Sequence, residues 1–246
     1  MSIRGAVTGA LRTRAGQMAA LVFIALIGLG VWQIQRLAWK TDLIARIDAR
    51  LAAAPVPPPS EAAFSDMETP EYLRVALVGR YIADGPDAVP LQTLVQALTV
   101  QGRGYWVMAP FLSNDGQFIL INRGFLPETM KDAVPPVPEG QQNLSGLLRL
   151  SQPGGAFLRS NDPGAGRWFS RDVKAIGAVL GTPLAPWFLD LGQPGEVVPE
   201  GVYPVPGLTV VRLRNSHLGY AITWFSLAVV WVIGVGAVLR ARDPDA

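Results

Sequence analysis

Asn215-Ser216-His217-Leu218-Gly219-Tyr220-Ala221-Ile222-Thr223-Trp224-Phe225 is the stretch in which a polar chain becomes an apolar one. From Leu218 to Leu239 no residue is charged, and about twenty apolar residues suffice to cross a bilayer core. The stretch therefore opens a transmembrane helix. It also holds the only histidine among 246 residues. Tyr220, Ala221 and Trp224 follow His217 at helical spacing and share its face. Two readings are open for such an imidazole: a polar anchor in the membrane interface, or a ligand to a metal or a haem.

Working outward, a second apolar stretch lies near the other end of the chain. Ala15 to Gln35 carries no charge, and Arg4, Arg12 and Arg14 precede it with no acid among them. A signal peptide ends in small residues soon after its apolar core. Here the core runs into Trp32-Gln33-Ile34-Gln35-Arg36-Leu37-Ala38-Trp39-Lys40, bulky and basic, which suits an interfacial belt. An uncleaved first transmembrane helix is expected. Basic residues before the first span and after the second (Arg240, Arg242) favour cytoplasmic termini, although Arg36 and Lys40 on the far side weaken the bias. The expected order is a cytoplasmic segment 1–14, a transmembrane helix 15–35, its extension 36–54 and a Pro-rich linker 55–70. A β-rich extracytoplasmic domain 71–214, a second transmembrane helix 215–239 and a cytoplasmic tail 240–246 complete it.

The helix extension rests on Trp39, Leu43, Ile47 and Leu51, an apolar stripe at a spacing of four. Pro55-Val56-Pro57-Pro58-Pro59 ends it. The middle of the chain is rich in turn-forming residues, with most of the 21 prolines and 26 glycines. Strands are expected within Tyr72–Tyr81, Gly104–Leu112, Gln117–Asn122, Leu144–Leu150, Trp187–Leu191 and Thr209–Leu213. Ser113-Asn114-Asp115-Gly116 joins the second and third as a hairpin. One helix is expected after Ser170 as its cap, stopped by Gly181 and Pro183. The pattern leaves a barrel and an open antiparallel sheet both possible, and the expectation leans to the open sheet or a mixture. The fold class is thus an α+β membrane protein, a two-helix transmembrane hairpin flanking a β-rich antiparallel domain with one or two helices.

Composition excludes several chemistries. With no cysteine, disulfides, zinc-thiolate sites, iron–sulfur clusters and thiol nucleophiles are ruled out. A net charge of +2 gives no electrostatic case for nucleic acid. No Gly-x-Ser-x-Gly elbow accompanies the lone histidine, and neither Gly102-Arg103-Gly104 nor Gly28-Leu29-Gly30 is a dinucleotide fingerprint. No metal site and no catalytic set emerge. Packed antiparallel, the two terminal helices bring Trp32, Arg36 and His217 to a common depth. Arg123 reads as a structural arginine satisfying turn carbonyls or a carboxylate, or as a contact for a partner or an anion.

In their order, the motifs resemble the surfeit locus protein 1 family of cytochrome c oxidase assembly factors. They are Gly30–Lys40, Gly79-Arg80-Tyr81, Gly104-Tyr105-Trp106-Val107 with Pro110-Phe111, Ile121-Asn122-Arg123-Gly124-Phe125-Leu126-Pro127, Pro186-Trp187-Phe188-Leu189-Asp190 and the segment Asn215–Phe225. The resemblance implies a non-enzymatic role, with the chain aiding delivery of haem a to, or its insertion into, subunit I of the oxidase. In bacterial members the histidine opening the second membrane helix is associated with haem a ligation, and the matching residue is His217. Arg36 as a partner of the haem propionates, and Trp32 and Tyr220 as pocket walls, are inferences from the hairpin geometry. The implied partners are cytochrome c oxidase subunit I and haem a synthase. The implied location is the inner membrane, crossed more than once, with the main domain periplasmic. The alternative is a membrane scaffold that stabilises a subunit I intermediate without binding haem.

Overall fold

The computed structural model describes residues 13–84, 89–156, 159–209 and 213–241. Arg4, Arg12 and Arg242, on which part of the topology argument rests, lie outside the described residues. The chain divides into a helical unit, Met1–Arg46 with Arg212–Ala246, and a β unit, Ile47–Val211.

Helix α1 runs unbroken from Arg14 to Ala52. Its 39 residues extend about 58 Å at 1.5 Å per residue, nearly twice a bilayer core of about 30 Å. A short helix α2, Glu61–Asp66, starts where the Ser60 hydroxyl accepts a hydrogen bond from the Ala63 N–H at 3.2 Å. It lies inside the stretch expected to be a linker. Val56 in the same stretch bridges to Val75 in parallel.

The β unit contains β1 (Arg74–Tyr81), β2 (Ala83–Asp84), β3 (Val89–Pro90), β4 (Thr93–Thr99), β5 (Gly102–Ser113), β6 (Phe118–Pro127), β7 (Gln142–Leu150) and β8 (Trp187–Leu191). β2 and β3 form a separate two-stranded ladder. The main sheet has the order β1-β7-β8-β6-β5-β4, and β1 pairs with β5 as well. The last pairing joins Gly79 to Ser113, Arg80 to Leu112 and Tyr81 to Phe111. Strands β1, β7, β8, β6 and β5 therefore close into a ring, and β4 extends β5 beyond the closure. This corrects the open sheet. The sheet is also not purely antiparallel, because β6 and β8 run parallel.

Alternation along the strands separates two cores. Val75, Leu77, Tyr81, Ala109, Phe111, Ile119, Ile121, Leu148, Trp187 and Leu189 fill the interior of the ring. Met108, Leu120 and Phe188, one residue out of phase, face the other way and pack with Val95, Trp168, Val173 and Ile176. The last two belong to helix α3, Val173–Leu180. Strand β6 is thus buried on both faces, which is why Phe118-Ile119-Leu120-Ile121 reads as an unbroken apolar run.

The start of α3 differs from expectation. Asp172 is its cap, accepting from the Ala175 N–H at 3.1 Å, and Gly181 closes it in a left-handed conformation. The Ser170 hydroxyl is occupied elsewhere, accepting from the Gly155 N–H at 3.0 Å and from the Asn161 amide at 2.9 Å. Strand β4 was not expected. Of the expected strand at 209–213, Thr209 and Leu213 are outside any strand, and 210–212 lie outside the described residues.

Helix α4, His217–Ala241, is the second helix long and apolar enough to cross a membrane. Together with α1 it makes the two candidate spans that flank the β unit.

Candidate functional site

Two buried polar clusters compete for a functional role. The first lies in the β unit and centres on Asp190, only 3% exposed. Its carboxylate accepts from Asn122 Nδ2 at 2.7 Å, Thr209 Oγ1 at 2.8 Å, Arg149 Nη1 at 3.1 Å and Arg171 Nη1 at 3.3 Å. Arg149 also pairs with Glu71 at 3.1 Å, so two cations meet two carboxylates. Arg171 donates to Gln152 and lies over the Phe188 ring, 4.8 Å from its centroid. Burial lowers the Arg171 pKa from its usual value, opposed by the Asp190 charge. The oxygen of the Asn122 amide accepts from the Gly124 N–H at 3.1 Å. Gly124 has φ +133°, and a Cβ there would stand 2.4 Å from the backbone of Val205, which bridges to Phe125. Glycine is required on both counts.

Arg123 next door settles as a structural arginine. Its guanidinium donates to the carbonyls of Pro135 at 2.7 Å and Pro136 at 2.8 Å, and to Gln92. It also faces the Tyr81 ring, 6.0 Å from the centroid. Burial pushes the Tyr81 hydroxyl up to about 12, with the Arg123 charge pulling the other way. Every charged member of this cluster is answered by a partner of the same unit. It is a saturated brace for the ring of strands, not a site with free valence.

The second cluster lies in the helical unit. Four contacts fix α1 against α4 in antiparallel register. Asn215 Nδ2 donates to Thr41 Oγ1 at 3.4 Å, and His217 Nδ1 lies 2.7 Å from Gln33 Oε1. Gly30 receives the Phe225 ring, and Trp231 Nε1 donates to the Ala19 carbonyl at 2.9 Å. A Cβ on Gly30 would stand 2.5 Å from the Phe225 ring, so glycine permits the approach. Ala221 and Ala228, both buried, continue the small-residue seam on α4. At the head of α4 the Asn215 side-chain oxygen accepts from the His217 N–H at 3.4 Å, answering one free donor of the first turn.

This geometry sorts the expected site residues. His217 is part-buried and tied to α1 through Gln33, a residue only 8% exposed. Trp32 and Arg36, four residues apart on one face of α1, point elsewhere on the helix. Trp32 is 49% exposed, and the Arg36 guanidinium stacks over the Trp39 ring at 4.4 Å. Arg36 forms no ion pair among the described residues. Tyr220 is 56% exposed on α4. The structure thus brings His217 to Gln33, and leaves Trp32, Arg36 and Tyr220 on the outer surfaces of the two helices.

The sequence profile of the SURF1 family matches residues 20–229. The chain belongs to the SURF1 family. It is 33% identical to the Surfeit locus protein 1 of Homo sapiens over 226 residues, covering 85% of this chain and 72% of that protein. It is equally 33% identical to a SURF1-like protein of Monosiga brevicollis, over 99% of both chains. The Xenopus tropicalis Surfeit locus protein 1 is also 33% identical, over 84% of this chain and 70% of its own length. The SURF1 profile spans the whole β unit and reaches into both apolar helices, from residue 20 of α1 to residue 229 of α4. Of the motifs that carried the resemblance, those between 79 and 190 supply the ring of strands and its Asp190 brace. Only Gly30–Lys40 and Asn215–Phe225 belong to the helical unit.

Gln33 is the residue that sequence reasoning missed. Its signal was its place between Trp32 and Ile34, an amide inside an apolar run at the depth assigned to His217. A buried amide requires a partner, and the lone histidine was the polar group available at that depth.

Proposed function

We propose that this chain is an assembly factor for cytochrome c oxidase that aids delivery of haem a to subunit I, or its insertion there, with His217 as the iron ligand. The observation that carries the reading is the position of the sole histidine. It opens α4, one ring nitrogen is held by a buried amide of α1, and the ring is only part-buried. Membership in the SURF1 family supports the assembly role.

The residues present fit a haem. His217 keeps one ring nitrogen for a metal while the other is engaged, the usual arrangement of a metal-bound imidazole. Arg36, exposed and without a carboxylate partner among the described residues, is suited to pair with a propionate. Trp32 and Tyr220 offer half-exposed aromatic surface on the two helices. Haem a, when bound, would supply an iron centre that the His217 imidazole could ligate. The chain holds the group through one histidine and surface side chains, a grip loose enough to release it to subunit I. Haem a synthase is the natural donor. The two candidate spans support a membrane location, and in this reading the membrane is the inner one, with the β unit periplasmic and both ends of the chain cytoplasmic.

The test is an optical and redox spectrum of the protein purified from cells that make haem a, beside His217→Ala. The expected result is a haem spectrum that the substitution shifts or abolishes. Full haem occupancy with an unaltered spectrum in His217→Ala overturns the ligand assignment. Haem-free protein that copurifies with subunit I overturns haem delivery and leaves a scaffold for the subunit I intermediate.

A further inference from the structure

We propose that Gln33 is the positioning residue of the site, fixing His217 in the tautomer whose Nε2 is free to bind a metal. The proposal rests on the reading of His217 as a ligand given above. His217 Nδ1 and Gln33 Oε1 lie 2.7 Å apart. An amide oxygen only accepts hydrogen bonds, so the ring nitrogen facing it carries the proton. In a neutral imidazole the other nitrogen then holds the lone pair. Gln33 thus selects Nδ1–H and leaves Nε2 as the ligating atom. An acceptor on the non-ligating N–H also orients the ring.

Packing alone does not account for an amide at this position. The surrounding face of α1 is apolar, and a buried amide costs free energy unless it is paired. Leucine at 33 would serve helix association as well. What glutamine adds is an acceptor whose position is fixed on both sides along the hairpin. On one side Gly30 meets Phe225, and on the other Thr41 meets Asn215. The second polar group near the ring, Asn215 Oδ1, is taken by the His217 backbone N–H. Among the described residues, Gln33 is therefore the side chain that sets the tautomer.

The chain has a single histidine, so isotope labelling of histidine nitrogens in the full-length protein in detergent reports on His217 without assignment. The expected magnetic resonance spectrum of the haem-free protein shows Nδ1 protonated and Nε2 bare. Gln33→Leu is expected to move the population toward the Nε2-protonated form, and Gln33→Glu, which retains an acceptor oxygen, to restore Nδ1–H. Protonated Nε2 in the unsubstituted protein overturns the proposal, and so does an unchanged tautomer in Gln33→Leu. Titration with haem a provides the second readout. Gln33→Leu is expected to weaken binding by about 10–100-fold, the usual effect of removing such a partner. Equal affinity in Gln33→Leu, where His217→Ala still abolishes ligation, overturns the positioning role. If the tautomer follows Gln33 but haem binding ignores His217→Ala, the ligand reading fails and the assignment of the tautomer to Gln33 stands.

Discussion

Asp190→Ala tests the brace of the β unit. The substitution removes the acceptor shared by Asn122, Thr209, Arg149 and Arg171. The side chains of Arg149 and Arg171 are only 12% and 11% exposed, so two poorly hydrated cations would face a single remaining carboxylate, Glu71. Removing one partner of a buried pair costs about 3–5 kcal/mol. Glu71 and Gln152 still answer part of the charge, which places the expected loss near the lower end, about 3 kcal/mol. Denaturant unfolding of the full chain in detergent, followed by amide hydrogen exchange, is the measurement. Exchange should accelerate in β6, β7 and β8 while α4 amides keep their protection. Combining Asp190→Ala with Arg171→Leu should cost less than the sum of the two, because the second change removes a cation that the first strands. A loss below about 1 kcal/mol, or strict additivity in the pair, would refute the reasoning.

Two further outcomes follow from the same unit. The Tyr81 hydroxyl, raised by burial to about 12, is protonated in the folded chain at pH values where the unfolded chain has lost that proton. Its contribution is intact below pH of about 10 and declines as pH rises toward 12, with a total of about 2–3 kcal/mol. A Tyr81→Phe chain should lack that decline, and the last tyrosinate to appear in an absorbance titration should be missing. Gly124→Ala demands a side chain at φ +133° and within 2.4 Å of the Val205 backbone. It should lower the unfolding midpoint sharply, with a loss of about 2–4 kcal/mol. A midpoint equal to that of the parent would mean that the Phe125–Val205 bridge is dispensable.

The features legible in the sequence were those set by local pattern. Strand β1 shows an alternation that its burial follows, and β5 and β6 flank a turn-forming Ser113–Gly116. Ring closure was not legible, because it depends on three residues of β1, Gly79 to Tyr81, meeting the far end of β5, Phe111 to Ser113, with β4 between them in the chain. Strand β4 escaped for a different reason. It lies beyond the closure, and its second half, with Leu98 exposed, gives no clean alternation. The cap of α3 fell at Asp172 because the Ser170 hydroxyl is claimed by Gly155 and Asn161, contacts that come from a distant loop. Within the helical unit, the depth of His217 against the region of Trp32 and Arg36 could be read from helix lengths, but azimuth could not. Each step along a helix turns by about 100°, so Gln33 and its neighbour Trp32 face different ways. Which of them faces α4 is decided by where Gly30 admits the Phe225 ring.

The same contrast bears on where function resides. In the β unit the buried charges are mutually neutralised and the motif residues are consumed by strand closure, the Asp190 brace and the Arg123 loop tie. A substitution there should act through stability, and its effect on oxidase assembly should scale with the loss of folded protein. The helical unit is held by small-residue packing and a few hydrogen bonds, and among the described residues His217 at the seam is engaged at one ring nitrogen. On the proposed ligand role, a substitution at His217 or Gln33 should therefore separate the two quantities, changing haem binding while the exchange protection of the β unit remains that of the parent. Unchanged haem binding in both variants would leave His217 as a polar anchor in the membrane interface.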